Sequence, residues 1–216
     1  MTTLTVALAK GRTAEDVMPR LTQADWPVPS TMQDDNRALV FEVESIAFGQ
    51  LRYLLAKPAD VPTYVSDGVA DIGIVGKDIL MESGKEVYEL LDLQAARCTL
   101  CVAGKPEVRE MHPARVATKY PLLADAYFRQ RGLQVEIVPL GGSIELAAVI
   151  GLTDRIFDLV QTGSTLAANG LEVFDEVYAI SARLIANRSS FRTKRHVIGQ
   201  LTNRLVNVLE AEGTLR

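Results

Sequence analysis

Histidine, cysteine and tryptophan are scarce here: two histidines, two cysteines and one tryptophan in 216 residues. Neither His112 nor His196 has a carboxylate or cysteine cluster around it, so each reads as an ordinary surface or core residue, and no Ser/His/Asp or Cys/His arrangement is in prospect. Cys98 and Cys101 form a Cys-x-x-Cys, but they sit in Ala96-Arg97-Cys98-Thr99-Leu100-Cys101-Val102-Ala103, an apolar strand. A redox pair belongs at a helix N-terminus that lowers a thiol pKa, and a structural zinc would need two more ligands. Buried structural thiols are the expectation. Basic excess is missing too: the net charge is -4 and the two signs are interspersed, which leaves no stripe to track a phosphate backbone and no nucleic-acid partner. Long apolar runs are also absent. The first, 4–9, is too short and wrongly flanked for a signal peptide, and nothing approaches the roughly 20 residues of a membrane span. A cytoplasmic location is expected.

What is present is 48% hydrophobic and 23% charged sequence, the balance of a globular chain with one large core or two modest ones. Short apolar runs alternate with helical patterns and Gly or Pro punctuation, which argues for α/β architecture. Strands are expected at 3–9, 38–44, 71–75 and 87–91, then at 97–103, 115–118, 134–138 and 156–160. Helices are expected at 13–23, 61–67, 121–131 and 143–150. Thr13 and Asp16 stand at capping-box spacing, and Pro19 should kink the first helix. The two series break near 91–97, and a last strand at 177–185 should return to the first. The expected division is therefore 1–93 plus 176–216 for a first lobe and 94–175 for a second. This is a two-lobed, periplasmic-binding-protein-like α/β fold with mainly parallel sheets and a ligand cleft between lobes. Val197, Leu201, Leu205 and Val208 or Leu209 form a helical stripe suited to packing on its own lobe, or to a dimer or partner contact.

The stretch 141–166, GGSIELAAVIGLTDRIFDLVQTGSTL, carries most of the chemistry. An apolar strand runs into Gln161-Thr162-Gly163-Ser164-Thr165 and then a helix. Such a turn offers unpaired amides and the positive end of a helix dipole, and Gly163 permits close backbone approach. The hydroxyls of Thr162, Ser164 and Thr165 add donors, so a phosphate fits; an N-cap turn with no ligand is the plainer reading of the same residues. Asp158, four positions earlier, can hold sugar hydroxyls while the turn holds the sugar's phosphate. Asp154 shares its face but lies about 13 Å further along an extended chain, so it is expected to be a solvated residue at the start of the strand. Glu145, in the preceding helix, either faces the same site, helping a magnesium-bound ribose, or is a surface carboxylate.

These residues resemble the phosphoribosyl-binding signature of the ATP phosphoribosyltransferase family: Glu145, Gly151, Ile156-Phe157-Asp158-Leu159 and Thr162-Gly163-Ser164-Thr165-Leu166. Thr153 departs from it, standing where the family has a smaller residue. The resemblance extends to Leu8-Ala9-Lys10-Gly11-Arg12, to the block from Pro58 through Asp78, to Ala117-Thr118-Lys119-Tyr120-Pro121 and to Ser181-Ala182-Arg183-Leu184-Ile185-Ala186-Asn187. It implies transfer of the 5-phosphoribosyl group of phosphoribosyl pyrophosphate (PRPP) to N1 of the adenine of ATP, the first step of histidine biosynthesis. It further implies Arg12 and Arg37 as catalytic residues, with Lys10, Glu145, Asp158, Thr162, Gly163, Ser164 and Thr165 binding substrate. Mg2+ is the implied cofactor, held mainly through substrate phosphates. The length resembles the short form, which works with a regulatory subunit related to histidyl-tRNA synthetase, and a homodimer of the catalytic chain is expected. Without the resemblance, Arg37 in Asp34-Asp35-Asn36-Arg37 reads as a solvated loop charge, and Lys57 and Lys77 are as well explained by the surface as by a site.

Two other readings compete. A two-lobed small-molecule-binding module without catalysis has the same architecture. Another PRPP-using transferase usually shows two adjacent acids before its phosphate loop, whereas Asp158 is followed by Leu159. Kinase-type phosphate binding is disfavoured, because Gly76-Lys77 is followed by Asp78 and no glycine stands five positions before Gly76.

Overall fold

The structure, a computed structural model, describes residues 3–33 and 38–213. The chain divides into two compact units, Met1–Ala96 with Ser181–Arg216, and Arg97–Ile180. In the first unit β1 (Leu4–Ala9) leads into α1 (Arg12–Gln23), and β2 (Val40–Ser45) and β3 (Gly49–Ala56) form a hairpin. There follow α2 (Val61–Ser66), β4 (Ile72–Gly76), α3 (Lys77–Ser83) and β5 (Tyr88–Asp92).

The second unit holds β6 (Cys98–Gly104), β7 (Arg115–Thr118), α4 (Pro121–Gln130), β8 (Glu136–Pro139) and α5 (Ile144–Val149). It is completed by β9 (Arg155–Val160), α6 (Ser164–Ala168) and β10 (Glu172–Ile180). The chain then returns to the first unit through β11 (Ala182–Ala186), α7 (Arg188–Thr193) and α8 (Arg195–Ala211). The two sheets run β2-β3-β1-β4-β11-β5 and β10-β6-β9-β7-β8.

β1 is apolar on both faces because both are covered, as expected of a strand between two parallel neighbours. Leu4, Val6 and Leu8 share a core with Val17 and Leu21 of α1 and Ile198, Leu201 and Leu205 of α8. Ala7 and Ala9 face Val61 and Val65 of α2 and Leu80 of α3. Each fully buried leucine or valine contributes roughly 1.5–3 kcal/mol. The stripe on α8 is thus used within its own unit. A Cβ on Gly73 would come 2.7 Å from Val65 Cγ2, so α2 lies on β4 at a distance only glycine allows. Among the described residues, no helix is long and apolar enough to cross a membrane.

Four expectations change. Both sheets are mixed: β1 and β7 pair in parallel with both of their neighbours, while β2, β5, β6, β10 and β11 pair antiparallel. The single strand expected at 177–185 is two, since β10 pairs with β6 to Ile180 and β11 pairs with β4 from Ala182. The return to the first unit therefore falls at 180/181, not near 175, and the outward crossing falls at 96/97. Thr13 and Asp16 make no capping box, because α1 starts at Arg12 behind Gly11, whose φ of 75° only glycine adopts without cost, and no side chain caps it. β3 and α3 add to the expected elements.

Asp71, 7% exposed, joins the ends of the first unit's chain. Its carboxylate accepts from the Thr5 amide, from Lys194 Nζ and from Ser190 Oγ, each at 2.7 Å, tying β1 and β4 to α7 and α8. Asp71→Ala leaves Lys194 without its counter-charge and is expected to cost about 3 kcal/mol. The check is urea denaturation, and an unchanged midpoint would contradict this role.

Cys98 and Cys101 are free thiols, with Cys101 buried in β6. Burial pushes the Cys101 thiol up to about 11, helped by the negative charge of Glu176 and by Cys98 and Asp175. Its thiolate fraction at pH 8 is therefore about a hundredfold below that of an ordinary thiol. With iodoacetamide, Cys101 of the folded chain is expected to stay unlabelled at pH 8 and to react only as pH approaches 11. Rapid native labelling at pH 8, read by peptide mass, would show the site to be open.

Candidate functional site

β9 is the central strand of the second sheet, antiparallel to β6 and parallel to β7. Its first residues are fastened by side chains. Asp154 Oδ2 accepts from the amides of Ala114 and Arg115 at 2.9 and 3.0 Å, which locks β9 to the start of β7. The expected solvated carboxylate is thus a half-buried staple. Next to it the buried Arg155 guanidinium donates to the carbonyls of Val108, Arg109 and Met111 and lies 4.6 Å from the Phe174 ring centroid. Burial lowers its pKa and Asp154 partly restores it.

Beyond Val160 the chain turns through Gln161, Thr162 and Gly163 into α6. Gly163 has φ 73° and ψ -1°, the left-handed region, so the turn closes within three residues. Thr162 Oγ1 and Ser164 Oγ are 2.9 Å apart, and the Ser164 amide donates weakly back to Thr162 Oγ1 at 3.4 Å. The first amides of any helix have no intrahelical acceptor, and hydroxyls gathered beside them make a neutral, donor-rich pocket for an anion.

A cavity of about 280 Å³ opens over this turn, lined by Glu145 of α5, by Asp158 on β9, and by the segment from Thr162 to Thr165. Ile156, Leu159, Val160 and Leu166 add apolar lining. The six sequence-selected residues Glu145, Asp158, Thr162, Gly163, Ser164 and Thr165 therefore meet at one place, all inside the second unit. Gln161 lines the cavity too; its place in the turn was the available signal. Two carboxylates beside a hydroxyl-rich turn suit a phosphorylated polyol: the turn takes the phosphate, and the carboxylates take hydroxyl protons or a divalent cation.

Lys10 and Arg12 belong to the first unit, exposed at the C-terminal end of β1, where ligand sites of α/β sheets form. Arg12 Nε lies 3.5 Å from Asp16. Lys77 is engaged elsewhere: its ammonium pairs with Glu89, which also binds Arg183 at 2.9 Å. Lys57 is exposed before the turn at Pro58–Asp60. Arg37 lies outside the described residues.

The family model described as HisG: ATP phosphoribosyltransferase matches residues 57–207. Among curated proteins the chain is 49% identical over 210 residues to the ATP phosphoribosyltransferase of Bacillus licheniformis, covering 97% of each chain. It is 45% identical to that of Halalkalibacterium halodurans, over 99% of this chain and 100% of that one. Among solved structures it is similar to a chain of the ATP phosphoribosyl transferase (HisG:HisZ) complex from Thermotoga maritima, with TM-score 0.80, 33% identity and 97% and 98% of the two chains covered. A periplasmic sulfonate-binding protein from Methylobacillus flagellatus aligns with TM-score 0.64 at 11% identity, over 97% of this chain and 68% of that one, a likeness of fold alone.

Proposed function

The chain belongs to the ATP phosphoribosyltransferase family, and we propose that it transfers the phosphoribosyl group of PRPP to ATP using the cavity of its second unit. The observation that carries the site assignment is the convergence of Asp158, Glu145 and the Thr162–Thr165 turn on one cavity. In this reading the turn binds the 5-phosphate, and Asp158 accepts from the ribose hydroxyls.

The reaction forms a bond from adenine N1 to ribose C1 as the bond from C1 to pyrophosphate breaks, with inversion at C1. Adenine N1 carries a free lone pair at neutral pH, so no general base is needed, in keeping with the scarcity of histidine. Positive charge grows on the sugar and negative charge on the leaving group. Only contacts that strengthen as that charge develops speed the step. Arg12 and Arg37 take this role, because a planar guanidinium makes two parallel bonds to phosphate oxygens. Lys10 adds a point charge nearby in sequence.

Among the described residues no three His, Cys, Asp or Glu side chains converge as a metal cage. The hard oxygen donors of Glu145 and Asp158 fit an ion that arrives largely on substrate phosphates. Magnesium bound in this way neutralises charge on pyrophosphate. We place the chain in the cytoplasm as the catalytic subunit of the short form, working as a homodimer with a regulatory subunit related to histidyl-tRNA synthetase. The likeness to a chain of a HisG:HisZ complex supports that partner.

With ATP, PRPP, magnesium and the regulatory subunit, the ultraviolet absorbance of phosphoribosyl-ATP is expected to rise. In calorimetry Asp158→Asn is expected to weaken PRPP binding about tenfold or more while ATP binding holds. Unchanged PRPP affinity would move the ribose contact elsewhere, and no product under these conditions would remove the activity.

A further inference from the structure

Asp158 lies where β9 begins to lose its neighbour. The parallel pairing of β7 with β9 runs Val116↔Arg155, Ala117↔Ile156 and Thr118↔Phe157, and there it stops. β7 ends at Thr118, and α4 begins at Pro121. Past Phe157 the strand that carries Asp158 has β6 on one side and no further rung of β7 on the other.

The side chain of Thr118 stands at this end of the ladder. It is fully buried, and its hydroxyl donates to the Phe157 carbonyl at 2.6 Å while accepting from the Tyr120 amide at 2.8 Å. A carbonyl can only accept and an amide only donate, so the single hydroxyl proton has one direction to go. The Phe157 carbonyl shares a rigid peptide plane with the Asp158 nitrogen. Holding that oxygen therefore fixes the plane from which Asp158 departs toward the cavity. The Thr118 hydroxyl oxygen, by accepting from the Tyr120 amide, ties this plane to the first turn leading into α4.

We propose that Thr118 is a positioning residue for PRPP binding: its hydroxyl sets the peptide that presents Asp158 to the ribose. This rests on Asp158 being the ribose contact. Thr118 touches no substrate and acts through that carboxylate. Its neighbours at the far end of β9, Asp154 and Arg155, hold the strand in place but lie on the side away from the turn.

The test is a double-variant cycle on PRPP affinity, measured by calorimetry with magnesium on the whole chain with its regulatory subunit. Thr118→Val keeps the shape and removes the donor, and about a tenfold loss of PRPP affinity is expected. On the Asp158→Asn background the same change is expected to add less than about twofold, because the carboxylate it positions is gone. Thr118→Ser retains the bond and is expected to stay within about threefold of the parent. Parent-like PRPP affinity in Thr118→Val, or losses that multiply in the double variant, would overturn the proposal while leaving Asp158 as the ribose contact. If Asp158→Asn alone had no effect, the site assignment would fail, and this inference with it. Should Thr118→Val not fold, Thr118→Cys donates more weakly and is expected to fall clearly below Ser; equality with Ser would overturn the proposal.

Discussion

The candidate site of the second unit depends on one strand that cannot slide. β9 is fixed at its start by Asp154 on two amides at the start of β7 and by the buried Arg155 on three carbonyls, and midway along by the Thr118 hydroxyl on the Phe157 carbonyl. Side chains alternate along a strand, so a slip of one residue would carry Asp158 to the opposite face and bring Phe157 to the cavity. The aromatic cluster of Tyr127, Phe128 and Phe157 opposes the same slip from the other side. Precision at Asp158 is in this sense a property of the whole strand.

The local electrostatics are divided in a way that suits the proposed reaction. The turn contributes neutral donors, amides and hydroxyls, and Glu145 and Asp158 contribute two carboxylates. Neither supplies the cations that several phosphates need, and the chain as a whole is net negative. In the proposed reaction the charge of the leaving group would therefore fall to arginine, lysine and a metal ion arriving with the substrate. Lys77 shows why proximity in sequence is a poor guide to such roles, since its ammonium is committed to Glu89 in an ion-pair network with Arg183 and Asp92.

The grouping of the candidate site, whose second-unit residues line one cavity, is more legible in the sequence than the fold around it. The turn and its two carboxylates are local in the chain, and residue type alone announces their chemistry: a glycine at a left-handed position, hydroxyls around it, an acid four residues back. The class of fold was legible too, through alternation of apolar runs and helices. What escaped depended on contacts remote in sequence. β3 has an apolar run interrupted by Arg52, whose exposed side chain pairs with Glu42 of β2, so its strand character comes from pairing with β1 and β2. β10 and β11 read as one strand because the switch between sheets at Ser181 needs neither glycine nor proline. Asp154 reads as solvated until the two amides it accepts from, some 40 residues earlier, are brought beside it. A threonine in a strand gives no hint that its hydroxyl will serve a carbonyl of another strand.

The most direct test of the central claim is a crystal structure of the catalytic chain with its regulatory subunit, PRPP and magnesium. The 5-phosphate is expected within hydrogen-bonding distance, about 3 Å, of the amides and hydroxyls from Thr162 to Thr165, with the ribose hydroxyls on Asp158. Density placing that phosphate anywhere else on the chain, with the turn empty, would contradict it.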